Sequence, residues 1–170
     1  SLHGIHRGGL KAGEYCAIIG AGPIGLLAGM IAQAYGAHAI LLDLVQERLD
    51  FAKELGIEYV VNSGKEDAVA RVAEITGGVM AQQVMECSGA NAAIRSSLDL
   101  VSNAGRVTLT GWPPRETSIP TDIITRKEID IRGARTSARE FEEAIELIYT
   151  KKVDVAKILT KTISLEEAPD

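Results

Sequence analysis

The segment Gly20-Ala21-Gly22-Pro23-Ile24-Gly25 constrains this chain most, because it stands where one hydrophobic periodicity gives way to another. Before it, Tyr15-Cys-Ala-Ile-Ile-Gly20 is a short continuous apolar run, the pattern of a strand covered on both faces in a parallel sheet. After it, Ile24, Leu27, Ala28, Ile31 and Tyr35 fall at i, i+3, i+4, i+7 and i+11, and Gly36 stops the run. In a strand-to-helix turn, Gly20 makes the tight corner, Gly22 lets a diphosphate approach the backbone, and Gly25 lets helix and sheet pack closely. Pro23 pre-sets φ at the helix start. The unpaired N–H groups and positive dipole end of that helix suit an anion. The segment therefore predicts a dinucleotide-binding turn, against the alternative of a purely structural glycine corner.

The same unit recurs along the chain. His38–Asp43 reads as a second strand, and Leu49, Ala52 and Leu55 make a helical stripe closed by Gly56. Tyr59–Asn62 reads as a third strand, followed by a helix over 65–76 with Val69, Val72 and Ala73 inward, ending at Gly77-Gly78. Gln83–Cys87 is the fourth strand, Ile94, Leu98 and Val101 share a helix face, and Arg106–Thr110 is the fifth. Gly111-Trp112-Pro113-Pro114 opens an irregular segment that reaches Pro120, before a sixth strand near Glu128–Arg132. A last helix carries Phe141, Ala144, Ile145 and Ile148, and Ile158–Ile163 reads as one more strand. Alternating strands and helices joined by right-handed crossovers predict an α/β fold. The expected form is a doubly wound parallel sheet of six strands in the order 3-2-1-4-5-6, a Rossmann fold.

Length and charge narrow the function. The 170 residues, 46% hydrophobic and 4% aromatic, suit one globular domain. A formal charge of -5 has the wrong sign for a chain that neutralises many phosphates, so nucleic acid is not an expected partner. Cys16 and Cys87 lie 71 residues apart inside apolar runs, which offers neither a disulfide framework nor a CxxC metal site. No apolar run reaches a membrane span and no N-terminal signal pattern is present, so a cytoplasmic protein is expected. The chain begins at Ser1 and stops just after the helix-start signal Ser164-x-x-Glu167, which reads as a segment of a longer enzyme. Residues 1–157 are expected to form the dinucleotide domain, and 158–170 the start of a return segment toward a catalytic domain outside this chain.

Asp43 ends the second strand 18 residues after Gly25, where a carboxylate accepts hydrogen bonds from the adenosine ribose. A carboxylate there repels a 2′-phosphate, and Leu44 follows where a phosphate-binding Arg would stand, so NAD is expected over NADP. Arg48 fits either an adenine or ribose edge or a solvated helix face. Ligands of such sheets gather beyond the carboxyl ends of the strands. That marks Cys87-Ser88-Gly89 and Thr110-Gly111-Trp112 as contacts for the nicotinamide half, with plain turns as the alternative. Arg135 is either a cofactor contact or a surface cation. His3 and His6 fall in a loosely tied N-terminus, and with His38 they form no zinc-like cluster. Cys87 is read as a buried thiol rather than a nucleophile, and Glu86 as a structural or ligand-bonding carboxylate rather than an acid or base. Trp112 lines a cleft or packs at a subunit contact.

Several motifs together resemble the cofactor domain of medium-chain, zinc-type alcohol and polyol dehydrogenases. They are Lys11-x-Gly13-Glu14, Ile18-Ile-Gly-Ala-Gly-Pro-Ile-Gly-Leu26, Asp43-x4-Arg48-x3-Ala52-x2-Leu55-Gly56, Glu86-Cys-Ser-Gly89, Ala104-Gly-Arg-Val107, Glu128-Ile-x-Ile-x-Gly133 and Ile163-x-Leu165-Glu-Glu-Ala168. Within that family the resemblance points most to sorbitol dehydrogenase-like members. It implies that Ile24, Asp43 and Arg48 contact NAD, and that Thr110-Gly111-Trp112 reach the nicotinamide side. It implies zinc only for a catalytic domain outside this chain, a small alcohol substrate, and a homodimer or homotetramer paired through the strand near Glu128–Gly133. Where sorbitol dehydrogenase-like proteins often carry an Arg-aromatic pair, this chain has Ala134-Arg135-Thr136-Ser137. The competing readings are a threonine dehydrogenase or zinc-free quinone-reductase-like relative, a non-catalytic NAD-sensing module, and a methyltransferase. The full GxGxxG disfavours the last.

Overall fold

Runs of aliphatic and β-branched residues form six strands: β1 (Tyr15–Ile19), β2 (His38–Asp43), β3 (Tyr59–Asn62), β4 (Ala81–Glu86), β5 (Val101–Leu109) and β6 (Asp130–Gly133). The computed structural model describes residues 1–168, so the last two residues of the predicted return segment lie outside the described residues. All strand pairs are parallel and the order is β3-β2-β1-β4-β5-β6, as the alternating pattern predicts. Successive residues of each strand face opposite layers. Cys16, Ile18, Leu41 and Met85 join a cluster with α1 (Leu2–Gly8), α2 (Pro23–Ala34), α3 (Gln46–Glu54) and Leu147 of α7 (Phe141–Tyr149). Ala17, Ile40, Leu42, Val84 and Val107 join a second cluster with α4 (Ala68–Ile75), α5 (Asn91–Leu100) and the region of α6 (Thr121–Lys127).

The largest departure from the sequence reading is α1. The N-terminus is a helix packed on the sheet, not a loosely tied segment, and Leu2, Gly4, Ile5 and Gly8 are buried in it. Glycine makes this contact possible: a Cβ on Gly8 would overlap the Gln83 side chain, and one on Gly4 would overlap the Met85 methyl. Two arginines satisfy the helix's last carbonyls. Arg106 donates to Gly8 O at 2.8 Å while its guanidinium pairs with Glu14, and Arg132 donates to Arg7 O at 3.0 Å.

Other differences are local. Helix α4 begins only at Ala68, because the Asp67 carboxylate accepts the Val69 and Ala70 N–H groups at 2.9 and 3.1 Å; Val72 is buried but Val69 is exposed. Val101 leaves the α5 face for extended backbone and pairs with Ala81 at the start of β5. The segment from Gly111 to Pro120 is irregular as expected, but helix α6 fills the stretch after it that the sequence reading left unassigned, and its C-cap Glu128 takes a left-handed φ of 54°, which delays β6 to Asp130. On α7, Leu147 is buried while Phe141, Ile145 and Ile148 are exposed. Ile24, read as part of the helical stripe of α2, is instead 48% exposed in the helix's first turn. No strand forms at 158–163. A 3-10 turn spans Val155–Ile158, the following residues pair with no strand of the sheet, and Leu159 and Ile163 are exposed.

Replacing Gly8 with alanine should cost about 1–3 kcal/mol through overpacking against Gln83. The midpoint of urea unfolding is expected to fall with little change in slope. An unaltered midpoint would contradict the flush seating of α1.

Candidate functional site

The carboxyl ends of the strands share one edge of the sheet, and the glycine turn lies at its centre. Gly20 has a φ of 108°, open to glycine alone at low cost, and its N–H donates to Leu42 O at 2.7 Å. Gly25 has no room for a side chain: a Cβ there would overlap Gly20 O. Gly22, the N-cap of α2, is the reverse case, since nothing lies within 4 Å of where its Cβ would be. The Leu26 N–H bonds back to Gly22 O at 2.9 Å, and among the described residues the N–H groups of Gly22, Ile24 and Gly25 find no acceptor. An open cradle with free donors at the positive end of a twelve-residue helix fits a diphosphate.

Asp43 stands beside this turn, 8% exposed in its side chain. Its Oδ2 accepts the Ala21 N–H at 2.7 Å and its Oδ1 the Val45 N–H at 2.9 Å. The carboxylate therefore ties the glycine turn to the end of β2. Each oxygen keeps a second lone pair for a hydroxyl donor. Arg48, on a 58% exposed side chain, places Nη1 3.7 Å from Asp43 Oδ2, at the mouth of β2.

Beyond β4 and β5, two loops meet backbone to backbone. A Cβ on Gly89, whose φ is 71°, would lie 2.6 Å from Trp112 O. The Thr110 hydroxyl donates to Glu86 O at 2.6 Å, and the Gly111 N–H to the same oxygen at 3.1 Å. The Glu86 side chain, fully buried, accepts Ser88 N–H at 2.8 Å, Ser88 Oγ–H at 2.5 Å and Gly89 N–H at 3.0 Å. Burial pushes the Cys87 thiol up to about 12, despite an opposing hydrogen bond with Thr110, so it stays protonated near neutral pH and is no nucleophile. Burial likewise pushes the Cys16 thiol up.

Trp112 is 72% exposed, and the Arg135 guanidinium lies 5.1 Å from its ring centroid in a cation–π contact. Together with Ile24, Thr110 and Thr136 they border a cavity of about 320 Å³, which α1 closes with His3 and Gly4. Ile24, Thr110, Trp112 and Arg135 are thus brought together. Cys87 and Ser88 stand behind that wall, and Asp43 with Arg48 lies at the far end of the turn, beside β2. Sequence reasoning missed His3, Gly4 and Thr136. The Gly4-x3-Gly8 pair, on one face of a helix with Ile5, was the available signal.

His3 reaches this wall from a polar network. Its Nδ1 lies 2.7 Å from Glu140 Oε1, His6 Nε2 lies 3.2 Å from Glu143, and the Tyr35 hydroxyl bonds Glu143. Burial alone would raise the Glu140 carboxyl, but hydrogen bonds from His3 and from the Ala138 N–H outweigh it and hold the group below its ordinary 4.5. Among the described residues no three His, Cys, Asp or Glu side chains are grouped to hold a metal ion, so these residues do not fit a zinc site.

An open glycine cradle, an acidic strand end and paired loops over a cavity define a dinucleotide-binding α/β domain. Its relatives place it more closely. The chain belongs to the zinc-binding dehydrogenase family, whose profile matches residues 23–150. It is 53% identical over 169 residues to an uncharacterized zinc-type alcohol dehydrogenase-like protein of Haemophilus influenzae, covering 99% of this chain and 49% of that protein. It is 32% identical to sorbitol dehydrogenase of Homo sapiens over 170 residues, covering 98% and 48%. Among solved structures, 2R,3R-butanediol dehydrogenase of Bacillus subtilis superposes with a TM-score of 0.87 at 28% identity, covering 94% of this chain and 46% of that one. The chain spans about half the length of the curated relatives it matches.

Glu140 adds stability that is present above the ordinary carboxyl value and lost as pH falls through its lower folded value. Glu140→Gln is therefore expected to flatten the acid limb of the stability–pH profile, measured by thermal melts from pH 7 to 3. An acid limb identical to that of the wild type would contradict this role.

Proposed function

We propose that this chain is the NAD(H)-binding domain of an oxidoreductase that moves hydride between the cofactor and a polyol or secondary alcohol. The observation that carries the reading is the open cradle at Gly22, with the unpaired N–H groups of Ile24 and Gly25 beside the Asp43 carboxylate. When bound, the nicotinamide ring supplies the hydride acceptor or donor. This chain's residues bind and orient. Gly22, Ile24 and Gly25 hold the diphosphate through backbone donors, with Gly20 and Pro23 setting the turn. Asp43 accepts the ribose hydroxyls, and its carboxylate disfavours a 2′-phosphate. The Thr110-Gly111-Trp112 loop and Arg135 border the cavity for the nicotinamide end, backed by Cys87 and Ser88. The identity to sorbitol dehydrogenase supports a polyol or secondary alcohol as substrate.

Zinc is proposed only for residues outside this chain, because the described ones do not group to hold it. The free thiols support a reducing, cytoplasmic setting, and no helix among the described residues is long and apolar enough to cross a membrane. The open outer edge of β6 suits pairing with a second copy in a homodimer or homotetramer.

Calorimetric titration with NADH and NADPH is the direct test. NADH is expected to bind more tightly, and Asp43→Ala to weaken it by about 1–3 kcal/mol, the cost of unpaired ribose hydroxyls. Tighter NADPH binding, or an unchanged NADH affinity in the variant, would overturn the role given to Asp43.

A further inference from the structure

A carboxylate with no countercharge lies directly behind the loop that walls the nicotinamide end of the cavity. Glu86 is fully buried at the carboxyl end of β4. Ser88 N–H, Ser88 Oγ–H and Gly89 N–H donate to its Oε1, and Gly89 N–H also reaches its Oε2 at 3.2 Å. Backbone N–H groups only donate, so both carboxylate oxygens act as acceptors in this cage. Neutral dipoles spread the charge without cancelling it. Among the described residues no Lys, Arg or His forms an ion pair with Glu86. Nothing separates its Oε2 from Gly111: a Cβ on that glycine would lie 2.6 Å from it, and the flanking Thr110 and Trp112 border the cavity.

We propose that Glu86 sets the oxidation-state preference of the site, favouring the oxidised, pyridinium-bearing cofactor over the reduced one. The inference rests on the cofactor reading above. The two cofactor forms share every group that the glycine turn and Asp43 would hold, and they differ in one positive charge on the nicotinamide ring. A buried negative charge near that ring acts on the oxidised form alone, and burial spares it the screening that weakens surface charges. The opposing cation is Arg135, which stacks on Trp112 in solvent and is screened accordingly. His3, a further titratable group on the wall beside the Ser1 amine, is paired with Glu140. Glu86 does not line the cavity and acts through space and through the loop it holds, as a positioning residue.

The test is equilibrium binding of NAD and NADH to the full-length protein and to Glu86→Gln, which keeps an acceptor for Ser88 and Gly89 and removes the charge. The ratio of NAD to NADH dissociation constants is expected to rise about fivefold or more in the variant. A role confined to holding the loops would change both constants alike, and an unchanged ratio would overturn the proposal. A second measurement needs no variant: benzamide adenine dinucleotide carries an uncharged ring in place of the pyridinium. The wild type is expected to bind NAD about fivefold more tightly than this analogue, and equal affinity would equally overturn the proposal. Failure of the wild type to bind any of the three dinucleotides would instead overturn the cofactor reading, and this inference with it.

Discussion

Helix α2 meets the sheet through bare backbone. Gly25 stands so close to Gly20 O that a side chain would overlap it, and a Cβ on Gly29 would lie 2.7 Å from the Ile57 methyl. This close approach lets the chain turn from β1 into the helix within three residues, leaving the first turn's N–H groups aimed past the strand ends. From that corner the rest of the edge takes its position. Gly20 bonds Leu42 O, Ala21 bonds Asp43, and Cys87 N–H bonds Ile19 O, so β2 and β4 are tied to β1 where their loops begin.

Asp43 and Glu86 do similar work on either side of the corner. Each is an acidic residue at the end of a strand whose oxygens accept backbone N–H groups of a loop. Such bonds to a charged acceptor are stronger than neutral ones, which suits loops that must hold their shape without much apolar burial. The difference lies in what is left over. Asp43 has Arg48 beside it and is reachable from solvent, whereas Glu86 is sealed in with its charge uncompensated. In the proposed cofactor reading, the first would receive a ligand's hydroxyls and the second would act on the ligand from behind the loop.

Much of this was legible in the sequence, and the boundary is physical. The six strands and their order follow from short apolar runs punctuated by glycine, a signal carried by each segment alone. The glycine turn, Asp43 and the two loops were legible for the same reason. Helices α1 and α6 were not, because seven residues make two turns, too few for a period to show. What holds α1 is the fit of Gly4 and Gly8 against Met85 and Gln83, partners about 80 residues away that no local pattern reveals. Ile158–Ile163 failed in the opposite direction: its composition suits a strand, but a strand needs a hydrogen-bonded partner, and among the described residues it pairs with none. The countercharge-free state of Glu86 could be seen only once Gly111 was placed against it.

In the proposed reading, the edge around Gly22 and Asp43 receives a nicotinamide dinucleotide with its diphosphate on the first turn of α2. A crystal structure of the protein grown with NADH tests it most directly. The diphosphate is expected within hydrogen-bonding distance of the Ile24 and Gly25 N–H groups, and the adenosine ribose on Asp43. A dinucleotide seated elsewhere, or one whose ribose leaves Asp43 bonded only to Ala21 and Val45, would contradict it.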